Sequence, residues 1–234
     1  MSTPLFIWLG SGRARRRQVG APASLLDRAA HAGLPVPPGA VVLDEFYRCA
    51  IELGLATESG GRVAIPDPEL WSNTLHLSAH LPRFRRPVAI YPITVSDPAP
   101  VAHGLAFDDA HAAARAFATA WSGGTGRRDT LIVETIAATT TGRATTTAGD
   151  GAPDDRVTLD RATSFALPQL RGWRSPNKDQ PPYARRLQQL LRGVRRTFGP
   201  GVWRIDWADD GRICWLVLAA AVDEQPQPTT GRAV

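Results

Sequence analysis

The chain has 234 residues, of which 43% are hydrophobic and 21% charged, and its formal net charge is +5. This is the composition of a globular protein, so it excludes a chain that is disordered throughout. Two cysteines, Cys49 and Cys214, are too few for a disulfide scaffold or a closed structural zinc site. No apolar run approaches the roughly 20 residues that span a bilayer, and the N-terminal segment has the reverse order of a secretory signal. We therefore expect a cytoplasmic protein without a membrane span.

The basic residues are almost all of one kind. Lys178 is the only lysine, which leaves 26 arginines among the 27 basic residues. An excess of basic residues is compatible with binding to nucleic acid, with binding to an acidic ligand, or with a solvated protein surface. Alanine, glycine and proline are abundant as well, so we attribute the excess of arginine over lysine to the base composition of the coding sequence. Lys178 lies in a loop-like stretch, so chemistry that needs a lysine charge at a phosphate has one poorly placed candidate.

The hydrophobic pattern of the first half predicts short strands alternating with helices. We predict strands at 5–9 and 40–43, and helices over 21–32, from the N-cap Asp44 onward, over 69–81, and from the cap Asp108 to Trp121. Three prolines exclude both a helix and a central strand from GLPVPPG (33–39). The inner proline of VAIYPIT (88–94) predicts an edge strand or a bulge, and 96–104 is predicted as a loop.

The second half begins with the most strand-like run of the chain, TLIVETIA (130–137). We predict a polar loop over 139–155 with a weak strand near 143–147, a short strand in RVTLD (156–160), and a loop over 168–182. The apolar stripe of residues 183–198 predicts an amphipathic helix. Residues 202–222 read as a β-hairpin that turns at Asp210-Gly211.

Three segments, in order, resemble the N-terminal nucleotide-binding domain of the phosphoenolpyruvate synthase and pyruvate phosphate dikinase family. The most specific is QVGAPASLLDRAAHAGLPVPPGAVVLDEFYR (18–48), in which AGLPVPPG (32–39) matches the family run letter for letter. RRPVAIYPITVSD (85–97) falls where the family has a strand of type Val-Ala-Val-Arg-Ser-Ser. FGPGVWRIDWADDGRICWLVLAA (198–220) is similar to the family's closing hairpin, and TLIVETIAATTTGRATTTAGD (130–150) weakly resembles its central strands.

The resemblance implies an ATP-grasp type fold, ATP and Mg²⁺ as cofactors, and phosphoryl transfer to a mobile histidine domain. Such chemistry neutralises phosphate with Lys and Arg and holds the metal with carboxylate and amide oxygens. Most of the corresponding positions are replaced here. The family's lysine falls at Ala21 or Pro22, its arginine at Tyr91, its metal-binding glutamine at Val217, and the arginine after that at Ala219.

Two acidic residues keep candidate roles in the cofactor site. Asp206 falls at the family's metal-binding glutamate, and is a candidate ligand of both metal and nucleotide. Glu134 falls at a glutamine of the central strand, and is a candidate for nucleotide binding. The alternatives are an exposed hairpin carboxylate paired with Arg204 or Arg212, and a strand residue on the solvent face.

Other chemistry-bearing groups have a structural interpretation that we favour. His76 and His80 have the i, i+4 spacing of a metal pair, but no third ligand is nearby, so an ordinary helix surface is the simpler explanation. The arginine clusters at 13–17, 83–86 and 192–196 suit nucleic acid or solvated faces. Trp203, Trp207 and Trp215 on the hairpin suit a base-stacking platform or, as we prefer, a packed core face.

We therefore predict an α+β, ATP-grasp-like fold in two lobes, 1–100 and 101–222, followed by a frayed tail at 223–234. The second lobe would carry the 130–150 strands. The predicted function is that of a phosphoenolpyruvate synthase-like ATP-binding domain with weakened or lost phosphotransferase (kinase) activity, so catalysis stays an open question. Its partner would be a separate protein with the phosphohistidine domain. The alternative is a non-catalytic module that binds a protein or another anionic ligand through its arginines; nucleic acid ranks last.

Overall fold

The computed structural model describes residues 5–79, 84–93, 98–123, 126–148, 154–159, 163–172 and 174–222. Within these ranges the α-helices are α1 (Ala21–His31), α2 (Asp44–Glu52), α3 (Pro68–Ala79), α4 (Ala110–Trp121) and α5 (Pro182–Phe198), and a short 3-10 helix covers Arg15–Arg17. The strands are β1 (Phe6–Trp8), β2 (Gly39–Val42), β3 (Thr57–Ser59), β4 (Arg62–Ala64), β5 (Val88–Pro92), β6 (Ala102–Leu105), β7 (Thr130–Glu134), β8 (Thr140–Ala148), β9 (Asp154–Leu159), β10 (Thr163–Pro168), β11 (Gly201–Asp209) and β12 (Cys214–Ala221). None of the helices in these ranges combines the length and apolar character needed to cross a bilayer.

The first five-stranded sheet has the order β1-β2-β7-β5-β6, and neighbouring strands are antiparallel. Its β-branched and aliphatic residues point alternately to two faces. One face packs under α2, α3 and α4 in an aromatic-rich core that includes Phe46, Trp71, Phe117 and Trp121. The other face contributes Val41, Ala89 and similar residues to a second core that it shares with α1 and the second sheet.

The second five-stranded sheet has the order β10-β9-β8-β11-β12 and is also antiparallel. The apolar stripe of α5 packs on one face through Leu187, Leu191 and Val194, which are all fully buried. The opposite face carries polar side chains and looks toward the first sheet. The fold is therefore α+β with two sheets, as the sequence predicts.

The proline segment before β2 joins the two sheets. The carbonyl of Pro35 accepts a hydrogen bond from the amide of Leu216 in β12, and the carbonyl of Pro38 accepts one from the amide of Glu134 in β7. Gly39, which follows, lies against the carbonyl oxygen of Ile132, where an added Cβ would be only 2.6 Å away. A side chain at this position would force the strands apart, so the close approach requires glycine.

The hairpin turn forms as the Asp-Gly pair predicts. Gly211 has φ of +88°, a conformation that glycine adopts without strain. The carboxylate of Asp210 accepts hydrogen bonds from the amides of Arg212 and Ile213, at 2.8 and 2.7 Å, which closes the turn.

Several sequence-based expectations are wrong in detail. The strand β5 is not an edge strand, because β6 and β7 flank it. The other alternative for this segment, a bulge, agrees with the register irregularity between Val88 and Ile90, although Pro92 itself stands at the end of the strand. The predicted loop at 96–104 overlaps the strand β6, and β10 was not predicted at all. The cap of α4 is Asp109 rather than Asp108, since its side chain accepts from the amide of Ala112.

The strand β7 lies in the first sheet, between β2 and β5, and not with the second lobe as expected. Its continuous apolar run, which is buried on both faces, suits the middle of a covered sheet. Asp44 does not cap α2 but lies in its first turn, where Oδ1 accepts from the amide of Arg128. His80 and the tail at 223–234 lie outside the described residues.

Candidate functional site

A cavity of about 930 Å³ opens between the two sheets. Ala89, Tyr91 and Val133 of the first sheet form one wall. The polar face of the second sheet forms the other. The segment from Glu134 to Ile136, where the chain passes from one sheet toward the other, closes one side. The predicted site residues Glu134 and Asp206 come from different sheets, and both line this cavity.

Register and alternation place the polar groups of the second wall. Asp206 of β11 lies directly opposite Arg143 of β8, which in turn lies opposite Thr158 of β9. Paired residues of an antiparallel ladder share a face, so these three side chains point into the cavity together. Gly142, beside them, is packed against the ring of Trp207 and the carbonyl of Thr158, which leaves no room for a Cβ.

Asp206 is held by a bidentate ion pair with Arg143. Nε of Arg143 donates to Oδ1 at 2.7 Å, and Nη2 donates to Oδ2 at 3.3 Å. The arginine side chain is 47% exposed and the aspartate side chain 30% exposed. Each oxygen of the carboxylate thus accepts one hydrogen bond from the guanidinium. The partner expected from the sequence was Arg204 or Arg212, whereas the structure supplies Arg143.

Glu134 is only 8% exposed, so the solvent-facing alternative for this residue is wrong. Its Oε1 accepts a hydrogen bond from the amide of Arg85 at 2.8 Å. Its own amide donates to the carbonyl of Pro38. The carboxylate thus lies at the cavity wall, where β7 ends.

Tyr91 stands at the position of the family's arginine and lines the cavity. Burial, and to a smaller extent the negative charge of Asp206, raises the pKa of Tyr91 to about 12. The hydroxyl is therefore a neutral donor and acceptor at physiological pH, with no charge to offer a phosphate.

A bulge decides which residues of the last strand reach the cavity. Asp206 pairs with Leu218 and Trp207 with Leu216, so Val217 is the extra residue between them. Val217 lines the cavity. Ala219 pairs with Ile205 and is fully buried in the core. Neither residue can replace the glutamine and arginine of the family pattern.

The donor set does not fit a magnesium triphosphate. No group of three His, Cys, Asp or Glu side chains within the described ranges could hold a metal ion, and the carboxylate of Asp206 is paired with a cation, Arg143. Lys178 lies in an exposed loop that does not line the cavity. A nucleoside fits the room available, since pockets for such ligands measure about 300–1,000 Å³. Ile136 lines the cavity, and its amide has no hydrogen-bond partner in the described part of the chain, so it is available to donate to a ligand.

The other residues that the sequence analysis considered as site candidates have structural roles or lie outside the cavity. His76 Nδ1 bonds the carbonyl of Ser72, as a helix-surface residue does. Trp207 is buried and stacks parallel to Tyr183, in agreement with a packed core face. The Nε1 of the half-buried Trp203 donates to the carbonyl of Gly199. His103, not expected at a site, lines the cavity.

Arg143 is the main site residue that the sequence analysis missed. Residues 139–155 were expected to be a polar loop with a weak strand, whereas β8 runs for nine residues through the middle of the second sheet. Period-two alternation along TTGRATTTA would have placed Arg143 on one face with Thr141 and Thr145. Its pairing with Asp206 depends on the register, which the sequence does not show.

No protein-family model and no curated protein matches the chain. Among solved structures, a RimK domain protein ATP-grasp from Sphaerobacter thermophilus matches with 18% identity and a TM-score of 0.47, covering 91% of this chain and 63% of that one. N5-carboxyaminoimidazole synthase from Aspergillus clavatus, in complex with ADP and 5-aminoimidazole ribonucleotide, matches with 11% identity and a TM-score of 0.45, covering 87% and 44%.

D-alanine–D-alanine ligase from Bacillus anthracis matches with 10% identity and a TM-score of 0.45, covering 92% of this chain and 58% of that one. The chain thus spans less than two thirds of the length of each of these proteins. With TM-scores below 0.5, these similarities carry no argument about the function of this chain.

Proposed function

We propose that this chain is an ATP-grasp-type nucleotide-binding domain, similar to the opening domain of the phosphoenolpyruvate synthase family, which binds an adenine nucleotide without transferring phosphate. One observation carries the proposal. Glu134 and Asp206, the two acidic residues that the family resemblance singles out, come from different sheets and line one cavity of about 930 Å³.

The nucleoside end of the ligand suits the side of the cavity that is closed by the segment between the sheets. Ala89, Val133 and Ile136 offer apolar surface there. The amide of Ile136, which has no hydrogen-bond partner among the described residues, offers a donor to the edge of a base. A mostly apolar pocket with a few convergent polar groups is the usual form of a small-ligand site.

Phosphoryl transfer is not part of the proposal, because the catalytic cations are replaced. Pro22 occupies the first turn of α1 and is buried, Tyr91 is neutral, and Val217 is apolar. A hydrogen bond to a charged group contributes about 1.5–3 kcal/mol, so losing two or three would slow transfer by several orders of magnitude. If the chain does take part in transfer, it needs a separate protein with the phosphohistidine domain.

Calorimetric titration with adenosine, ADP and ATP tests the proposal. We expect saturable binding by the wild type, and weakening by about tenfold or more in Val217→Phe, since the larger side chain fills the cavity. Val202→Phe is the matched control: Val202 is also a half-buried valine of the hairpin, but lies outside the cavity. Failure of adenosine, ADP and ATP all to bind, or ready consumption of ATP by the purified chain, would contradict the proposal.

A second candidate function, an interaction module for an acidic partner, has one specific observation in its favour. Arg13, Arg15, Arg16 and Arg17 are all exposed, and the described residues include no ion-pair partner for them. The turn that carries them is fixed, because the buried carboxylate of Asp27 accepts the amides of Gly10, Gly12 and Ala14. Salt-sensitive binding of a polyglutamate peptide, lost in a triple Arg→Gln variant at 15–17 and kept in Arg115→Gln, would favour this candidate.

A further inference from the structure

We propose that a second pocket, which lies apart from the cavity between the sheets, binds a small phosphate monoester through its phosphate group. The pocket measures about 310 Å³ and is lined by Ala148, residues 169–172, Arg192, Arg195 and Arg196. It therefore involves the arginine cluster at 192–196, which the proposed function does not use. The inference is independent of that function, because the two sites share no lining residue.

The pocket lies on the face of the second sheet that α5 covers. Arg192, Arg195 and Arg196 have the i, i+3 and i+4 spacing that places side chains on one side of a helix. The guanidinium of Arg195 reaches Thr146 of β8, whereas Arg143, three residues earlier on this strand, lines the cavity. An odd separation along a strand puts two side chains on opposite faces, so the sheet stands between the pocket and the cavity.

Arg195 forms a fixed base for the pocket. Its side chain is only 10% exposed, and Nη1 donates to both oxygens of Asp155, at 2.9 and 3.0 Å, and to Oγ1 of Thr146 at 2.7 Å. The side chain of Asp155 is fully buried and also accepts from Nε2 of Gln169, which itself lines the pocket. Asp155 thus neutralises the charge of Arg195, and this arginine holds the wall of the pocket in place.

Arg192 supplies a charge that no carboxylate of the described residues neutralises. Its Nη1 donates to the backbone carbonyls of Arg174 and Gly172, at 3.0 and 3.5 Å. Nη2 of Arg196 donates to the same carbonyl of Gly172 at 3.4 Å, so two cations share one neutral acceptor. Nε and Nη2 of Arg192 make no hydrogen bond with the described residues, and these two nitrogens form the fork that binds two oxygens of one phosphate.

The rest of the lining also favours an anion. The eight lining residues include four arginines and no carboxylate. Leu170 and Gly172 line the pocket, and their amides have no hydrogen-bond partner in the described part of the chain, so they are available to donate to a ligand. Their carbonyls, in contrast, accept from Arg192, Arg195 and Arg196. Converging donors suit a phosphate monoester, which carries about two negative charges and three acceptor oxygens.

The size of the pocket limits the ligand. A volume of about 310 Å³ is at the lower end of the range of small-molecule sites, about 300–1,000 Å³. Arg171, Gly172 and Arg196 are exposed, so the pocket opens to solvent and a ligand can enter. The chemical class that fits is therefore a phosphate monoester with a short organic group.

Calorimetric titration at low salt with glycerol phosphate, inorganic phosphate and glycerol tests the inference. We expect saturable binding of glycerol phosphate, at least as tight as that of inorganic phosphate, and no binding of glycerol. Arg192→Gln should weaken the binding of glycerol phosphate by about tenfold. The matched control Arg185→Gln removes a half-buried arginine of the same helix that lies outside the pocket, and should stay within about twofold of the wild type.

A second pair of variants tests the charge of the pocket without removing an arginine. Ala148→Glu and Ala148→Gln introduce side chains of nearly equal size at the pocket wall, and only the first adds a negative charge. Ala148→Glu should bind glycerol phosphate about tenfold more weakly than Ala148→Gln, because the carboxylate competes for the same donors. Equal affinities of these two variants would overturn the inference, even if Arg192→Gln failed to fold.

The remaining outcomes separate this inference from the proposed function. It is overturned if the wild type does not bind glycerol phosphate, if glycerol binds as well, or if Arg192→Gln and Arg185→Gln lose affinity equally. Val217→Phe, which fills the cavity, should leave glycerol phosphate binding unchanged; a loss there would put the phosphate in the cavity and overturn this inference alone. Failure of adenosine, ADP and ATP to bind would overturn the proposed function and leave this inference standing.

Discussion

Arg186 and Asp209 form a bidentate ion pair that ties α5 to the end of β11. Nε and Nη2 of Arg186 each donate to one carboxylate oxygen of Asp209 at 2.7 Å. The aspartate side chain is fully buried, and its Oδ1 also accepts the amide of Gly211 in the hairpin turn. Its backbone carbonyl accepts the amide and the hydroxyl of Thr139. One residue therefore fixes a helix, a turn and the start of β8.

Removing the arginine from this pair should destabilise the protein strongly. Arg186→Ala leaves a buried carboxylate without its counter-charge, and breaking a buried pair in this way costs about 3–5 kcal/mol. Denaturation in urea, followed by fluorescence, measures the loss. Arg185→Ala, which removes the neighbouring charge on the same helix, is the control and should cost less than about 1 kcal/mol. Equal effects of the two variants would contradict the role given to the pair.

Asp27 should be essential for the turn that precedes α1. Its carboxylate is 2% exposed and accepts three backbone amides, from Gly10, Gly12 and Ala14. Asp27→Ala leaves these donors unsatisfied, and we expect a loss of about 3 kcal/mol in the free energy of unfolding. Thermal denaturation checks the value, with the exposed Asp179→Ala as control. Amide hydrogen exchange should rise at Ala14, and unchanged protection there would count against the assignment.

Tyr91 should ionise well above the ordinary range. Burial and then the charge of Asp206 raise its pKa to about 12 from 10.0. Because the folded state holds this proton more tightly than the unfolded state, the contribution to stability is complete below about pH 10 and is lost as the pH rises through 12. Ultraviolet titration of the wild type minus that of Tyr91→Phe isolates the group. Asp206→Asn should lower the pKa slightly, since burial is the larger cause.

The two cysteines should differ in reactivity. Burial, followed by the charge of Asp209, raises the pKa of the Cys214 thiol, whereas Cys49 is half-exposed. The thiolate is the reactive form, so a disulfide reagent should modify Cys49 in the native protein and reach Cys214 only on unfolding. Titration of thiols in Cys49→Ser provides the check. Rapid native labelling of that variant would show that Cys214 is accessible.

The sequence predicts the elements whose pattern is strong and local. The apolar stripe of α5 and the Asp-Gly turn of the final hairpin are confirmed by the structure. The strand β8 was missed for most of its length, because its threonines and glycine have no apolar run and the strand is stabilised by pairing with β9 and β11. The polar strand β6 was missed for the same reason. Both strands form because they pair with neighbouring strands of their sheets, and residue propensities contain no information about that pairing.

The sequence predicted those residues of the candidate site that fall within the motifs of the family resemblance. Glu134 and Asp206 were singled out by resemblance, and the structure brings them to one cavity; their roles stay predictions. Arg143 was out of reach, because its importance depends on which residue of β11 lies opposite. A shift of one residue would turn its side chain to the other face.

The position of β7 has a consequence for dividing the chain. Cutting at residue 100 would separate β2 and β5 from the strand that lies between them. The N-terminal fragment would then carry two open edges in the middle of its sheet, and such edges recruit other chains. If the two halves are expressed separately, we expect them to aggregate. Mixing them during refolding should restore the native fold only if β7 (residues 130–134) inserts again between β2 and β5.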